Sequence, residues 1–535
     1  MSEYVNMLSP ITVEILWTRA VSVVDEAALT LHRTSFSTVV RESHDYTCMI
    51  LDPLGKAVVQ ATRSIPSFIG TLPMSVQAFL QKYPADTLSP GDVIVSNDPW
   101  IGTGHLPDLT LAVPIFQNGQ LIGFGGAIAH MSDIGGRRRA PDSRDIYEEG
   151  LQIPILKLYE AGKPNVTLLD MIKRNVRVPV EVIGDIHAMV GAAQRMGQGL
   201  TELLTEYELA TMEPLTAEVI GRTELAMRNA ISLIPDGTYH SVTMVDSFDS
   251  DAPLRMECTI TVKADQLKVD FTGSSAQNNS SLNSVLGYTK AYSTYALKCV
   301  LLPDVRNNEG NVIPIEITAP EGSFLNPLYP AAVEARATVG HYTTSAVLNT
   351  LAKALPDRVP AESGIPLHGF AIRGNKAGKV FSSIFFFSGG LGARPNQDGL
   401  PTLSFPTNVS NTPVEILERL LPIRITEKAL LPDSGGRGKF HGGAGQRVKV
   451  EIVGTHGVTL VLLSQRLKFP PLGRCGGENG SLEKILLNGI PVQGSKPFEL
   501  KPSDVFEIEL PGGGGYGLRS ERDVKLTHKE MDSEH

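Results

Sequence analysis

Leu121-Ile122-Gly123-Phe124-Gly125-Gly126-Ala127-Ile128-Ala129-His130-Met131-Ser132-Asp133-Ile134-Gly135-Gly136 is an apolar run that ends in a histidine, a carboxylate and a glycine turn. Upstream, Asn97-Asp98-Pro99-Trp100-Ile101-Gly102-Thr103-Gly104-His105-Leu106-Pro107-Asp108 carries the same His-x-x-Asp spacing beside glycines. The apolar run reads as a buried strand. The distance between the two histidines suits one strand, a loop and a returning strand, which makes their ends neighbours. Imidazole and carboxylate are the donors with which a divalent cation builds an open site, and strand ends hold such donors stiffly. A single His-x-x-Asp is more often a hydrogen-bonded turn than a ligand pair. Its repetition leaves two open readings, a metal centre and a pair of structural turns.

Outward from these segments, the N-terminal third mixes helices with short strands. Ile11, Ile15, Ala20, Val23, Val24, Ala27, Ala28 and Leu31 recur near the helical period and predict a helix over 11–36. Residues 48–51 and 57–59, joined by Asp52-Pro53-Leu54-Gly55, form a hairpin signature. A helix is expected over 74–83, a buried strand over 91–95, and mostly helix over 165–234. After Pro235-Asp236-Gly237-Thr238 the texture changes, with period-two strands at 241–245 and 267–271 and helices over 289–301 and 343–355. From about 424 onward short strands alternate with glycine turns, as in 447–453 and 457–463. The expected fold class is therefore multi-domain α+β, with a mostly β C-terminal domain. The divisions fall at 1–234, 235–423 and 424–518, followed by a charged, loose tail over 519–535.

Composition excludes several classes. The 535 residues are 42% hydrophobic and 20% charged, as in an ordinary folded chain. A net charge of −9 argues against a nucleic-acid scaffold, and the densest basic run, Arg137-Arg138-Arg139, reads as a solvated turn. Cys48, Cys258, Cys299 and Cys475 are too scattered for a disulfide framework, and no C-x-x-C pair is present. Met1-Ser2-Glu3-Tyr4 lacks the basic and apolar regions of a signal peptide, and no apolar stretch reaches the roughly 18 residues of a membrane span. The expected compartment is the cytoplasm.

Two further segments invite chemistry. Arg41-Glu42-Ser43-His44-Asp45 precedes the strand at Cys48 and can supply an oxygen ligand or a general base; the alternative is a solvated turn with an Arg41–Glu42 ion pair. Pro511-Gly512-Gly513-Gly514-Gly515-Tyr516-Gly517 has amides enough to cradle an anion but lacks the Lys-Ser/Thr ending of a P-loop. A flexible turn lining a pocket or an intersubunit contact suits it better, and the same holds for 435–438 and 442–445. The chain shows no nucleotide-binding motif and no nucleophile elbow.

Several long motifs occur in one order: Arg41-Glu42 with Asp45, NDP at 97–99, HLPD at 105–108, and AH with DIGG at 129–136. IYEEGLQIP at 146–154, NVR at 175–177, DFTGSS at 270–275 and APEGSFLNP at 319–327 follow. GARPNQDG at 392–399, FPTNVSNTPVE at 405–415 and PGGGGYG at 511–517 complete the set. Over about residues 10–518 the chain resembles the B subunits of ATP-dependent hydantoinases, a group that includes 5-oxoprolinases, caprolactamase B and the large subunits of ketone carboxylases. The resemblance implies a partner A subunit, actin-like in fold, that binds ATP and Mg²⁺ and phosphorylates the substrate oxygen. It implies a B subunit with a metal site that completes the reaction, in a heterotetramer with two copies of each chain. The family's ligand set matches His105, Asp108 and His130 here, with Asp45 at a nearby acidic position. Mixed nitrogen and oxygen donors suit one Zn²⁺ or Mn²⁺ better than Ca²⁺. Asp133, Glu42 or Asp45 is then the base that takes a proton from water. Two departures from the family, Phe68-Ile69-Gly70-Thr71-Leu72-Pro73 and Met131, are expected to alter the substrate pocket.

The resemblance implies hydrolysis of a cyclic amide, such as a hydantoin, 5-oxoproline or a lactam, after phosphorylation by the A subunit. A subunit of an ATP-dependent ketone carboxylase and a non-catalytic scaffold for an ATPase partner are the competing readings. Nothing in the sequence names the amide or the native metal.

Overall fold

The computed structural model describes residues 8–137, 139–248, 252–376, 378–494 and 496–523. The expected tail beyond 523 and Arg138 of the basic run lie outside the described residues.

Ser9 caps the first helix, α1 (Pro10–Thr34), by accepting from the Thr12 amide, with Pro10 preset at the first turn. A short turn of helix, α2 (Thr38–Arg41), leads into the hairpin of β1 (Tyr46–Leu51) and β2 (Ala57–Gln60). Helix α3 (Pro66–Lys82) begins eight residues before the expected 74, because Phe68, Leu72, Val76 and Phe79 form a buried stripe through Pro73. Burying that stripe outweighs the backbone hydrogen bond that Pro73 removes. Strands β3 (Val93–Ser96), β4 (Asp108–Gln117), β5 (Gln120–His130), β6 (Leu156–Glu160) and β7 (Lys163–Pro164) complete a seven-stranded sheet. Its order is β2-β1-β5-β4-β3-β6-β7 and every pairing is antiparallel. Helices α4 (Val166–Asn175), α5 (Pro179–Glu206) and α6 (Glu213–Ile231) follow, as the sequence predicted for this region.

The sheet is covered on both faces. Leu109, Leu111, Ala127 and Ala129 pack with α1 and α5, whereas Ala112, Phe124 and Ile128 pack with α3. Gly125 permits the first contact, since a Cβ there would sit 2.5 Å from the Ala193 carbonyl oxygen of α5. A strand buried on both sides loses its polar alternation, so β5 reads as one continuous apolar run.

Next come β8 (Gly237–Val245), β9 (Leu254–Lys263), β10 (Gln266–Asp270), α7 (Leu286–Leu301), β11 (Ile315–Thr318) and α8 (Arg336–Leu351). The four strands form one sheet in the order β11-β10-β9-β8, with β10 and β11 parallel. Helix α8 starts seven residues before the expected 343; Val339, His341 and Tyr342 are buried on different sides of it, so no amphipathic stripe marks its start.

The remaining strands build two sheets against one core. Strands β12 (His368–Lys376) and β13 (Lys379–Phe387) precede α9 (Val414–Leu420) and β14 (Ile423–Leu430). Then come β15 (Gln446–Ile452), β16 (Val458–Leu462), β17 (Lys484–Leu487), β18 (Ile490–Pro491), β19 (Phe498–Leu500) and β20 (Val505–Glu509). The sheets run β13-β12-β16-β19 and β14-β15-β20-β17-β18, so residues on both sides of 423 share the first. Phe370, Phe385, Phe387 and Phe506 fill the space between them.

The glycine run at 511–517 departs from expectation. It is buried, and its backbone bonds those of other segments: Gly436 donates to Gly513, Gly513 to Gly443, Gly514 to Glu362 and Gly515 to Glu478. A Cβ at Gly513 would lie 2.2 Å from the Leu391 oxygen. These glycines form a stack of bare backbones rather than a flexible turn at a pocket. Just beyond, Arg522 pairs with Asp398 at 3.0 Å, so the chain is held to that point.

Candidate metal centre

The β4–β5 hairpin decides the site. Asp108 is the first residue of β4 and His130 the last of β5, and the register places them directly opposite. Both have the parity of Ala112 and Ile128, so both side chains stand on the α3 face. Asp108 Oδ1 lies 2.9 Å from His130 Nδ1 and 2.9 Å from His105 Nε2. His105 comes from the loop before β4, where Gly104 has φ 88° and a Cβ would be 2.8 Å from Arg336 Cδ. Only glycine lets that loop close on α8. The three side chains offer ligand atoms within 4.8 Å of one another, all from buried residues.

The hydrogen bonds specify which atom of His105 is available. Its Nδ1 is 3.3 Å from the Glu334 carbonyl oxygen, which can only accept, so Nδ1 carries the proton. Burial, reinforced by Arg336, pushes the pKa of His105 down to about 3, which keeps the ring neutral. Nε2 therefore presents a lone pair to a carboxylate oxygen at 2.9 Å and makes no hydrogen bond. Burial disfavours the ionised form of Asp108, but the Arg336 guanidinium and the hydrogen bond to His130 outweigh it and hold the carboxyl well below the usual range. A lone pair facing a carboxylate oxygen this closely is stable with a cation between them. The donor set of two imidazoles and a carboxylate fits a divalent first-row metal.

The surroundings are built as carefully. Arg336, the first residue of α8, donates to Asp108 Oδ2 and lies 3.9 Å from the centroid of the Tyr288 ring. Glu149 accepts at Oε1 from the Val333 and Glu334 amides, both at 2.9 Å, and so fixes the segment whose carbonyl faces His105. Burial, with Glu334 nearby, raises the Glu149 carboxyl well above its ordinary range. Asp45, Phe68, Arg139, Tyr292 and Arg336 line a small cavity with His105 and His130, whose water-accessible volume is about 30 Å³. Burial and Asp108 push the Asp45 carboxyl up to about 6, against the pull of His130, Arg336 and Arg139. The Asp45 carbonyl also accepts from the His130 amide at 3.1 Å, which ties the start of β1 to the end of β5.

His105, His130 and Asp45 thus line one cavity, and Asp108 lies against both histidines without lining it. Glu42 and Asp133 do not line it. Glu42 ends α2 with its carboxylate 3.8 Å from Arg41, the ion pair of the plainer reading. Asp133 is buried and bonds Arg177 through both oxygens, one of them 2.7 Å from the guanidinium. The two His-x-x-Asp segments are therefore unlike: the first supplies both residues, the second only its histidine. Of the two departures, Phe68 reaches the cavity, whereas Met131 packs in the core on the α5 side. Sequence reasoning missed Arg336 and Tyr288, and it placed Arg139 in a solvated turn, whereas Arg139 is buried and lines the cavity. Glu149 was quoted only within the IYEEGLQIP motif, without a role. None of the four carries a local signal, because each reaches the site through a tertiary contact.

A putative D-/L-hydantoinase B subunit from Pseudomonas sp. strain NS671 is 31% identical to this chain, over 96% of this chain and 91% of its own length. The crystal structure of the ATP-dependent caprolactamase from Pseudomonas jessenii superposes with a TM-score of 0.90 at 26% identity, covering 99% of this chain and 94% of that one. The nucleotide-free acetone carboxylase shares the fold, with a TM-score of 0.89 at 18% identity over 98% of this chain and 78% of that one. Residues 9–519 match the family described as hydantoinase B/oxoprolinase, and the chain belongs to that family.

Proposed function

We propose that this chain is the metal-bearing B subunit of an ATP-dependent hydrolase of cyclic amides, working with an ATP-binding A subunit in a heterotetramer of two copies each. The observation that carries the proposal is the opposition of Asp108 and His130 across the hairpin, with His105 closing the set. The B-type designation of the hydantoinase relative and the ATP dependence of the caprolactamase support the division of labour. ATP and Mg²⁺ belong to the A subunit, since this sequence has no nucleotide loop. A need for ATP also favours the cytoplasm.

His105, Asp108 and His130 would hold one divalent cation, Zn²⁺ or Mn²⁺, with Asp45 serving as a further oxygen donor or as a base. A cation there supplies Lewis acidity and lowers the pKa of water toward neutrality. The chemical need is plain: an unactivated amide has a weak electrophile and a poor leaving nitrogen. Once the A subunit has phosphorylated the amide oxygen, water adds at the activated carbon, the ring C–N bond opens and phosphate is released. Asp45 takes the proton from that water, because its raised pKa puts the carboxylate near the working range of a general base. Asp133 is occupied by Arg177 and Glu42 stands away from the cavity, so neither is the first choice.

The test combines this chain with its A subunit and follows ring opening of hydantoin, 5-oxoproline and caprolactam. ATP-dependent consumption of one of them without bicarbonate is the expected result. Turnover by this chain alone at the rate of the mixture overturns the two-subunit reading. A strict need for bicarbonate points instead to a ketone carboxylase. Metal-free chain that is fully active with its partner removes the metal from the proposal.

A further inference from the structure

Two guanidinium groups, those of Arg139 and Arg336, line the same cavity as His105 and His130. Arg336 is only 4% exposed. One of its terminal nitrogens bonds Asp108 Oδ2, and its planar face covers Tyr288. Its Nε is buried and makes no hydrogen bond. A dry, cationic N–H is costly to a fold and calls for an acceptor.

Charge balance points to the same acceptor. Without a metal, the two arginines are matched by Asp108 and Asp45. A divalent cation on His105, Asp108 and His130 brings two more positive charges into the same buried space. The Glu149–Glu334 pair behind His105 offers a further carboxylate, and one such charge still leaves the total positive. A buried surplus of this sign is met by an anion. Guanidinium forks suit the oxygens of phosphate in particular, which they bind with directed, charge-assisted hydrogen bonds. About 30 Å³ of water-accessible space beside these groups has room for two or three waters, which a small oxyanion can displace.

We infer that Arg336, through its Nε, and Arg139 form an oxyanion subsite beside the cation, sized for a phosphoryl group. This rests on the metal-centre reading above and extends it: the chain recognises the phosphoryl group itself, either on the activated substrate or as the phosphate released. Recognition of that group lets the site reject an amide that has not been phosphorylated. Cation and anion support one another, so each tightens the binding of the other by the same factor.

The experiment uses the full-length chain, loaded with Mn²⁺ or metal-free, and titrates it calorimetrically with inorganic phosphate and with methyl phosphate. Metal content is measured in parallel. The expected result is phosphate binding to the Mn²⁺-loaded chain that weakens at least tenfold without the metal. Arg336→Lys keeps the charge and loses Nε; it should weaken phosphate at least tenfold while retaining one Mn²⁺ per chain. Arg139→Lys, which leaves the Asp108 pair intact, should also weaken it and carries the test if the first variant does not fold. Tighter binding of methyl phosphate supports recognition of the activated substrate, and tighter binding of inorganic phosphate supports recognition of the product. Absence of phosphate binding to the Mn²⁺-loaded wild-type chain, or equal affinity in both lysine variants, overturns the subsite alone. Absence of Mn²⁺ binding to the wild-type chain overturns the metal centre and the subsite together.

Discussion

Replacing Asp108 by alanine tests whether this carboxylate balances a buried charge as well as facing two imidazoles. Its side chain is fully buried and that of Arg336 is 5% exposed, so the substitution strands a guanidinium where water cannot reach it. Breaking a buried pair by removing one partner costs about 3–5 kcal/mol. Removing both partners leaves no isolated charge, so Asp108→Ala combined with Arg336→Met should cost less than the two single changes added together. The expected coupling is about 2–3 kcal/mol, at the upper end for residues in direct contact. The assay is urea unfolding of the metal-free chain for the wild type, both single variants and the double, with the transition midpoint and slope compared. A loss below about 1 kcal/mol for Asp108→Ala, or a double variant additive to within about 0.5 kcal/mol, refutes the reasoning. The same cycle qualifies the use of Asp108→Ala as an activity probe, because its loss of function mixes lost ligation with lost stability.

Three further outcomes are expected. His105→Ala and His130→Ala should each reduce bound Mn²⁺ or Zn²⁺ in the purified chain to a small fraction of one per chain, by elemental analysis, with an unchanged circular dichroism spectrum; full occupancy in both refutes the ligand set. Asp45 binds its proton more tightly folded than unfolded, so its contribution to stability is present at low pH and lost as pH rises through about 6. A shift of this size is worth about 3 kcal/mol, so the metal-free chain should lose more stability between pH 4 and 7 than Asp45→Asn does, and parallel urea midpoints across that range refute it. Gly125→Val should lower the melting temperature through an overpacking cost of about 1–3 kcal/mol, since the new side chain meets the Ala193 carbonyl, and an unchanged melt refutes the close approach of α5.

The fold was legible where periodicity is local. The stripe of α1, the hairpin of β1 and β2 and the helical region of α4 to α6 each bury one face or turn on residues with fixed backbone preferences, and the reading from sequence found them. It failed at the start of α3, where Pro73 and Gly70 imitate a turn while Phe68, Leu72, Val76 and Phe79 keep a helical stripe buried. Helix α8 was shortened for the opposite reason: an element buried on all sides has no polar face to set its phase. The glycine segments misled because glycine signals both freedom and the absence of a side chain. At 511–517 the second meaning applies, and only the neighbouring backbones reveal it.

For the site, what the sequence carried was a register. Once 121–130 is read as a strand that returns along 108–117, the pairing of Asp108 with His130 follows from the hairpin, and His105 lies three residues upstream of its partner. The repeat of His-x-x-Asp was a weaker guide than it looked. The chain leaves the sheet after His130, with the Met131 amide bonded to the Pro107 carbonyl, and the next turn delivers Asp133 to Arg177 instead. Arg336 and Glu149 were out of reach for a different reason. Each acts through a contact between segments nearly two hundred residues or more apart, Arg336 on Asp108 and Glu149 on the amides of Val333 and Glu334. The donors of this centre are thus set by local strand geometry, whereas the groups that fix their tautomer and charge come from a second part of the chain. Metal affinity should therefore depend on how the 333–336 segment docks on the hairpin, so that damage to Glu149 reaches His105 through a carbonyl rather than through any ligand bond.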